Sequence, residues 1–403
     1  MDKSNGVWTC HQHVIPASHI RGFERGVRDE RKHRRSLRLS VNEYAPNIAP
    51  DGSTEPITIL FHHGVGFTKE SYEPLFTSIF RNSNHIRAIW SYDIAWHGKS
   101  YLLNEDVIGD IPHWNDDARD VLQIVNYFHE KMPAPIVGVA HSVGSSVLMM
   151  ASLMHPRLFS GIVCVDPVYA TGYSPRPLKY HRAILMARRR DRWASKDEAR
   201  KAFLKSPYYA AFDPEVFELV MEHDLREVTS PDGKTYVTLV TPKAQEVGSM
   251  FRPVPANSVK EFAGVSTDRN SFGAELVIPG FHLYELAALQ KRMKELVPSI
   301  HVIWAANSDI YKIPKYAEFA HKTLGTDKGV YAHSAPRRVT QEVIDGAGHT
   351  VPLEKPRELG KAISQWLEHE TPLWKQEYEA ERGADTFWSS ELNPDWMKEI
   401  SKI

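Results

Sequence analysis

One serine stands out by its setting. Ser142 lies in AHSVG (140–144), a near match to G-x-S-x-G, between the apolar run PIVGVA (135–140) and the helical run VGSSVLMMASLMH (143–155). A strand that turns sharply into a helix holds such a serine on a strained backbone, with its hydroxyl projecting from the top of the sheet. Small flanking residues let strand and helix approach. Ala140 takes the first glycine's place and is still small, and Gly144 keeps the second. The chemistry this setting offers is nucleophilic. A serine hydroxyl attacks a carbonyl once a base takes its proton, and the base needs a carboxylate to fix its tautomer. The chain has 20 histidines, so position rather than residue type must select the base.

The elements that would position these groups follow from apolar periodicity. Residues 8–20 and SLRLSVNEY (36–44) alternate as two early strands, separated by the charge-dense GFERGVRDERKHRR, which reads as an exposed linker. ITILFHH (57–63), HIRAIWSYD (85–93), PIVGVA and GIVCVD (161–166) read as short buried strands. Between them WNDDARDVLQIVNYFHEKM sets Ala118, Val121, Leu122, Val125 and Phe128 on one helical face. After Asp166 the rhythm breaks: residues 167–280 are rich in Arg, Tyr, Phe and Pro. RDRWASKDEARKAFLKS and DPEVFELVMEHDL look helical there, and GKTYVTLVTPK reads as a short strand or an extended piece. The pattern resumes with YELAALQKRMKELV, whose Leu286, Leu289, Met293 and Leu296 form one stripe. The strands SIHVIWAA (299–306) and RRVTQEVIDG (337–346) follow, then a last helix, PRELGKAISQWLEHE, with Leu359, Ile363, Trp366 and Leu367 facing inward. Strands alternating with amphipathic helices predict an α/β fold, a mostly parallel sheet with helices on both faces. The expected organisation is a discontinuous core, 1–166 and 281–370, a largely helical cap inserted at 167–280, and a tail at 371–403 carrying Trp374, Trp388 and Trp396.

Composition narrows the function classes. Lys and Arg (49) balance Asp and Glu (50), so no global field draws the protein to nucleic acid or an anionic membrane. The two cysteines, Cys10 and Cys164, imply neither a disulfide framework nor a zinc site, so a reducing compartment is expected. MDKSNGVWTCHQH has no secretory h-region, and no apolar run reaches the roughly 18 residues of a membrane span. HExxH, Walker A and dinucleotide fingerprints are absent, so neither a metal nor another cofactor is expected.

Several separate segments resemble the α/β-hydrolase superfamily. FHHGVG is similar to its HG oxyanion loop. DIAWHGKS, with Asp93, His97, Gly98 and Ser100, is similar to D-x-x-G-H-G-x-S, with Trp96 for one Gly. DGAGHTVPLEKP matches G-H-x-x-x-x-E-x-P. HHGVGFTKESYEPLF, the VDP after GIVCV, and VTLVTPK also resemble fungal peroxisomal hydrolases of secondary metabolism: the acyl-CoA hydrolase of mycophenolic acid biosynthesis and the esterase-lipase type enzymes of host-selective toxin clusters. The resemblance implies a serine hydrolase of esters or thioesters, with acyl-CoA first among the substrates. Carboxylesterase, lipase, lactonase and a ligand receptor without turnover stay open as alternatives.

Within that frame His349, in a Gly-rich loop after the last strand, is the candidate base; His62 and His141 read as packing residues, and His97 as a loop-shaping one. Val143, first in the helix after Ser142, and Val65 in the HHGVG loop are the expected oxyanion donors, with Gly64 and Gly66 letting that backbone approach substrate. Two aspartates compete as the acid. Asp309 in ANSDIYKIP follows the seventh strand, out of register with the usual G-x-x-D-x-x-x-P. Asp166 follows the sixth, beside the nucleophile strand, and is favoured. Arg188, Arg189, Arg190 and Arg192 in the cap are candidates for CoA phosphates. Ser401-Lys402-Ile403 differs by one residue from the S-K-L address, so a peroxisomal import receptor is the expected partner and the cytoplasm the alternative location. A homodimer stays open.

Overall fold

Twelve strands organise the described part of the chain, residues 3–28, 37–50, 52, 55–169, 182–250, 284–332, 336–383 and 394–403 of a computed structural model. They are β1 (Lys3–Ser4), β2 (Trp8–Pro16), β3 (Arg38–Pro46), β4 (Ile57–His62), β5 (Ile86–Tyr92), β6 (Ile136–His141), β7 (Gly161–Val165), β8 (Arg192–Trp193), β9 (Leu225–Thr229), β10 (Thr235–Leu239), β11 (Ser299–Ala305) and β12 (Val339–Ile344). Nine form one sheet in the order β1-β2-β3-β5-β4-β6-β7-β11-β12. From β5 to β12 every pairing is parallel; β1, β2 and β3 add antiparallel pairings at one edge. Every residue of β4, β6, β7 and β11 is buried, as continuous apolar runs covered on both faces require. Successive residues alternate between two cores: Leu60 joins the cluster of Trp90, Val121 and Leu148, while Ile59 and Phe61 join that of Phe76, Leu359 and Ile363.

Parallel strands bring their C-terminal ends to one edge. The residues after β4 (His63–Gly66), β6 (Ser142), β7 (Asp166) and β12 (His349) therefore share that edge, although 62 to 349 spans most of the chain. Above it, the described part of the expected cap holds five helices (Arg182–Arg188, Lys196–Leu204, Pro207–Ala210, Pro214–His223 and Lys243–Met250) and a three-stranded antiparallel sheet, β8-β10-β9. GKTYVTLVTPK is thus an ordered strand in a hairpin. Phe203, Phe212, Val216 and Phe217 of this segment belong to the same apolar cluster as Ile59 and Phe61.

Two expectations need correction. The charge-dense GFERGVRDERKHRR is not wholly a solvated linker: Gly22 N donates to the Asp116 carboxylate at 2.8 and 2.9 Å, and the neighbouring Arg21 pairs with Asp120 in a buried bridge. Its second half, 29–35, lies outside the described residues. The expected tail also starts too early. The helix runs Pro356–Gly383, past residue 371 and through Pro372, which lacks an amide donor. It continues because Trp374 is buried. Its indole nitrogen donates to Ser299 Oγ at 3.0 Å, and its ring lies where a Cβ on Gly161 would sit 2.5 Å away. Trp388 lies outside the described residues, and Trp396 is 62% exposed. Trp374→Ala is therefore expected to cost about 3–5 kcal/mol in denaturant unfolding. Trp396→Ala should stay within about 0.5 kcal/mol of the parent.

Candidate active site

Ser142 sits between the last residue of β6 and the helix Val143–Met154, with φ 58° and ψ −121°. For a serine this is the sparsely populated left-handed side of backbone space, kept only where the surroundings over-determine it. Here two hydrogen bonds do so: Ser142 N donates to Val165 O at 2.9 Å, and Val168 N donates to Ser142 O at 3.2 Å. Gly144 is needed for close approach, since a Cβ there would stand 2.5 Å from His62 Nδ1.

The structure brings Ser142, His349 and Asp166 into one hydrogen-bonded chain. His349 Nε2 lies 2.8 Å from Ser142 Oγ, and His349 Nδ1 lies 2.5 Å from Asp166 Oδ2. Asp166 is fully buried at the end of β7, itself at positive φ (42°). Its carboxylate also accepts from Ser308 Oγ (2.5 Å) and Ala305 N (3.3 Å). Asp309, the competing acid, is half-buried after β11; its neighbour Ser308, not Asp309, reaches the Asp166 carboxylate. Burial pushes the Asp166 carboxyl up to about 6, the Ser308 and Ala305 bonds opposing it. Burial, reinforced by the Arg182 cation, holds His349 well below its ordinary value. At neutral pH the arrangement therefore pairs an uncharged imidazole facing Ser142 with a carboxylate behind it. The loop carrying His349 is fastened by Glu354, whose carboxylate accepts from Gly348 N (2.7 Å) and Thr350 Oγ1 (2.6 Å) on either side of the histidine.

The loop after β4 faces this chain. Gly64 N donates to Tyr72 Oη at 3.0 Å, and Gly66 N donates to His97 Nε2 at 3.0 Å. The two glycines thus turn their amides to protein. A Cβ on Gly64 would sit 2.7 Å from His141 Nδ1, and one on Gly66 3.1 Å from Met186 Cε of the cap. The amide between them, on half-buried Val65, has no hydrogen-bond partner among the described residues. Val143, as first residue of its helix, likewise presents an amide without an intrahelical acceptor. Because it accepts from Gly66 N, His97 is neutral at Nε2, in line with burial pushing its pKa far down. His62 packs behind the elbow, with Nε2 on Asp117 (2.8 Å) and Nδ1 on the His63 carbonyl (2.8 Å).

The cap arginines are arranged otherwise than expected. Arg189 makes two bonds to Glu246 (2.6 and 2.7 Å), Arg190 bonds Glu198 (2.7 Å), and Arg192 lies 4.9 Å over the Tyr236 ring. Arg188 is exposed. The cation felt by His349, His141 and Asp166 is Arg182, which the sequence reading passed over. Helical spacing explains it: residues 182 and 186 share one face of the helix Arg182–Arg188, and Met186 of that face lies against Gly66. Sequence reading also left Tyr72, Ser308 and Glu354 without roles; only Glu354 had a signal, as the glutamate of G-H-x-x-x-x-E-x-P. Among the described residues no group of three or more His, Cys, Asp or Glu side chains is set to hold a metal ion, and no helix is long and apolar enough to cross a membrane.

These features are those of one hydrolase fold, and the family model of the alpha/beta hydrolase family matches residues 59–362. The chain belongs to that family. Its sequence is 27% identical, over 98% of its length and 96% of the relative's, to the type I acyl-CoA thioesterase mpaH of Penicillium brevicompactum. It is 26% identical, over 60% of its length and 87% of the relative's, to an abhydrolase domain-containing protein of Alternaria alternata. Its fold is similar to that of the peroxisomal alpha-beta-hydrolase Lpx1 of Saccharomyces cerevisiae, with a TM-score of 0.69 at 18% identity, covering 99% of this chain and 96% of that one. Asp166→Asn is expected to lower kcat for a p-nitrophenyl ester by about 10⁴-fold, because the imidazole loses its tautomer. Asp309→Asn should keep most of the turnover in the same assay.

Proposed function

We propose that this alpha/beta hydrolase cleaves an acyl-CoA thioester through an acyl-enzyme on Ser142. The observation that carries the reading is the Ser142–His349–Asp166 chain, closed at 2.8 and 2.5 Å. The Ser142 proton passes to His349 Nε2 as Oγ bonds to the thioester carbonyl carbon. The charge that develops on the carbonyl oxygen is taken by the amides of Val65 and Val143. Removing one such donor costs about 3 kcal/mol of transition-state stabilisation. The C–S bond then breaks, His349 returns the proton to the departing thiolate sulfur, and CoA leaves as its thiol. Water attacks the acyl-enzyme with His349 again as base, releasing the acid and Ser142. Asp166 stays ionised and holds the imidazolium throughout.

The thioester, rather than a simple ester, is favoured by the full-length likeness to an acyl-CoA thioesterase. Arg182 supports it further. Among the described residues it has no ion-pair partner, and it stands on the cap face that lies over the Val65 loop, so it suits an anionic part of the substrate. A panel of acyl-CoA thioesters, simple esters and lactones tests the class: kcat/KM should be highest on a thioester. Arg182→Gln should raise KM for acyl-CoA several-fold and leave that for an uncharged p-nitrophenyl ester nearly unchanged. Equal effects on both would remove Arg182 from substrate binding.

A peroxisomal location accompanies this reading. Ser401, Lys402 and Ile403 are exposed, after the exposed helix Pro394–Ile400, and so open to an import receptor. Fused behind a fluorescent protein with that end free, the chain should co-localise with peroxisomes. An unchanged distribution after deletion of the three residues would rule the address out.

A further inference from the structure

The residue just before Ser142 is itself tied to the residue that faces it. His141 ends β6, is fully buried, and bonds at both ring nitrogens. Its Nε2 lies 2.8 Å from the His349 carbonyl oxygen, and its Nδ1 lies 2.9 Å from Tyr72 Oη. A carbonyl only accepts, so Nε2 carries the proton and donates to His349 O. Burial and the neighbouring His349 push the His141 pKa down to about 3, so the ring is neutral and Nδ1 is a lone-pair acceptor. Tyr72, fully buried, must then donate its hydroxyl proton to Nδ1, and the same oxygen accepts from Gly64 N at 3.0 Å. The directions are mutually consistent along the whole path: Gly64 N–H to Tyr72 Oη, Tyr72 O–H to His141 Nδ1, and His141 Nε2–H to the His349 carbonyl.

The two ends of this path are not ordinary backbone. Gly64 adjoins Val65, whose amide has no hydrogen-bond partner among the described residues, and His349 is the proposed base. Glu354 holds the residues on either side of His349 but not His349 itself. Packing is close as well, since a Cβ on Gly64 would stand 2.7 Å from His141 Nδ1. Resting on the acyl-enzyme reading above, we propose that Tyr72 and His141 are positioning residues that lock the oxyanion loop and the backbone of His349 to each other, so that oxyanion donor and base keep one relative geometry. They touch neither substrate nor a reacting atom. Their effect is on alignment, where a shift of about 1 Å is enough to cost on the order of 10²-fold in rate.

Tyr72→Phe removes one oxygen and keeps the ring. His141→Asn keeps a polar atom near Nδ1 and loses the bond to His349; His141→Gln keeps a donor near Nε2. The measurements are kcat and KM on the best acyl-CoA of the panel, the rate at which a fluorophosphonate labels Ser142, and the thermal midpoint. Tyr72→Phe and His141→Asn are expected to lower kcat and the labelling rate together by about tenfold or more, with KM changed less than about twofold. His141→Gln should recover most of the labelling rate that His141→Asn loses. Folded variants that keep wild-type kcat and labelling would overturn the inference, as would equal rates for the Asn and Gln variants. Loss of the folded state in both Tyr72→Phe and His141→Gln would assign the pair to stability alone and overturn it too. Failure of the wild-type chain to label would instead count against Ser142 as nucleophile, which separates the two failures.

Discussion

The backbone of Ser142 at φ 58° is the constraint on which the site depends. A serine held there is uphill of its relaxed conformations by about 1–3 kcal/mol, so its neighbours must prevent relaxation. They do so by hydrogen bonds across two strand ends, Ser142 N to Val165 O and Val168 N to Ser142 O, which bind the elbow to the strand that ends in Asp166. The same bonds that strain the serine therefore tie it to the end of the strand that leads into Asp166. Small residues complete the constraint: only a glycine at 144 lets the helix start against His62.

A second set of buried polar groups fixes the loops around the elbow. Asp93, fully buried after β5, accepts from Lys69 N, Lys69 Nζ and Lys99 N within 2.8–2.9 Å. Lys69 is itself fully buried and also pairs with Glu70 at 2.9 Å. Despite the burial of both groups, the Lys69 ammonium holds the Glu70 carboxyl below the usual carboxylate range, and Asp93 together with Glu70 raises Lys69. Such pairs add little net stability, because desolvation opposes the attraction, but breaking one strands a buried charge. They are better understood as fixing position: Lys69 follows the Val65 loop directly, and Gly98, at φ 51°, wraps against the Asp93 carboxylate. The D-x-x-G-H-G-x-S resemblance is thus a loop clamp, and its histidine, His97, accepts the Gly66 amide.

The cap contributes electrostatics as well as cover. Asp224 accepts from Thr68 at 2.6 Å, and burial pushes its carboxyl up to about 8; burial likewise raises Glu246 to about 7, against the pull of Arg189. With Arg189 engaged by Glu246, the field at His349 comes from Arg182. The charge count of that segment said only that arginines were present. Which one faces the site depends on helix phase and on which carboxylates fold beside the others.

Local pattern carried the strands, the helix faces and the elbow. Continuous apolar runs must be buried on both sides, and a serine between a strand and a helix with Gly144 behind it has few other uses. Parallel order also followed from the alternation of strands and helices, and with it the meeting of Ser142, Asp166 and His349 at one edge. What sequence could not decide are the contacts between residues far apart in the chain. Asp166 and Asp309 both follow strands, and only in space does His349 Nδ1 meet Asp166, whose carboxylate also takes the Ser308 hydroxyl. Trp374 reads as tail until Gly161, more than two hundred residues away, supplies the hole it fills. Tyr72 looks like any helix-start aromatic until the fold brings Gly64 and His141 to its oxygen. Periodicity reports which face of an element is buried, whereas hydrogen bonding needs a partner at about 3 Å in a set direction, and only the assembled chain supplies that.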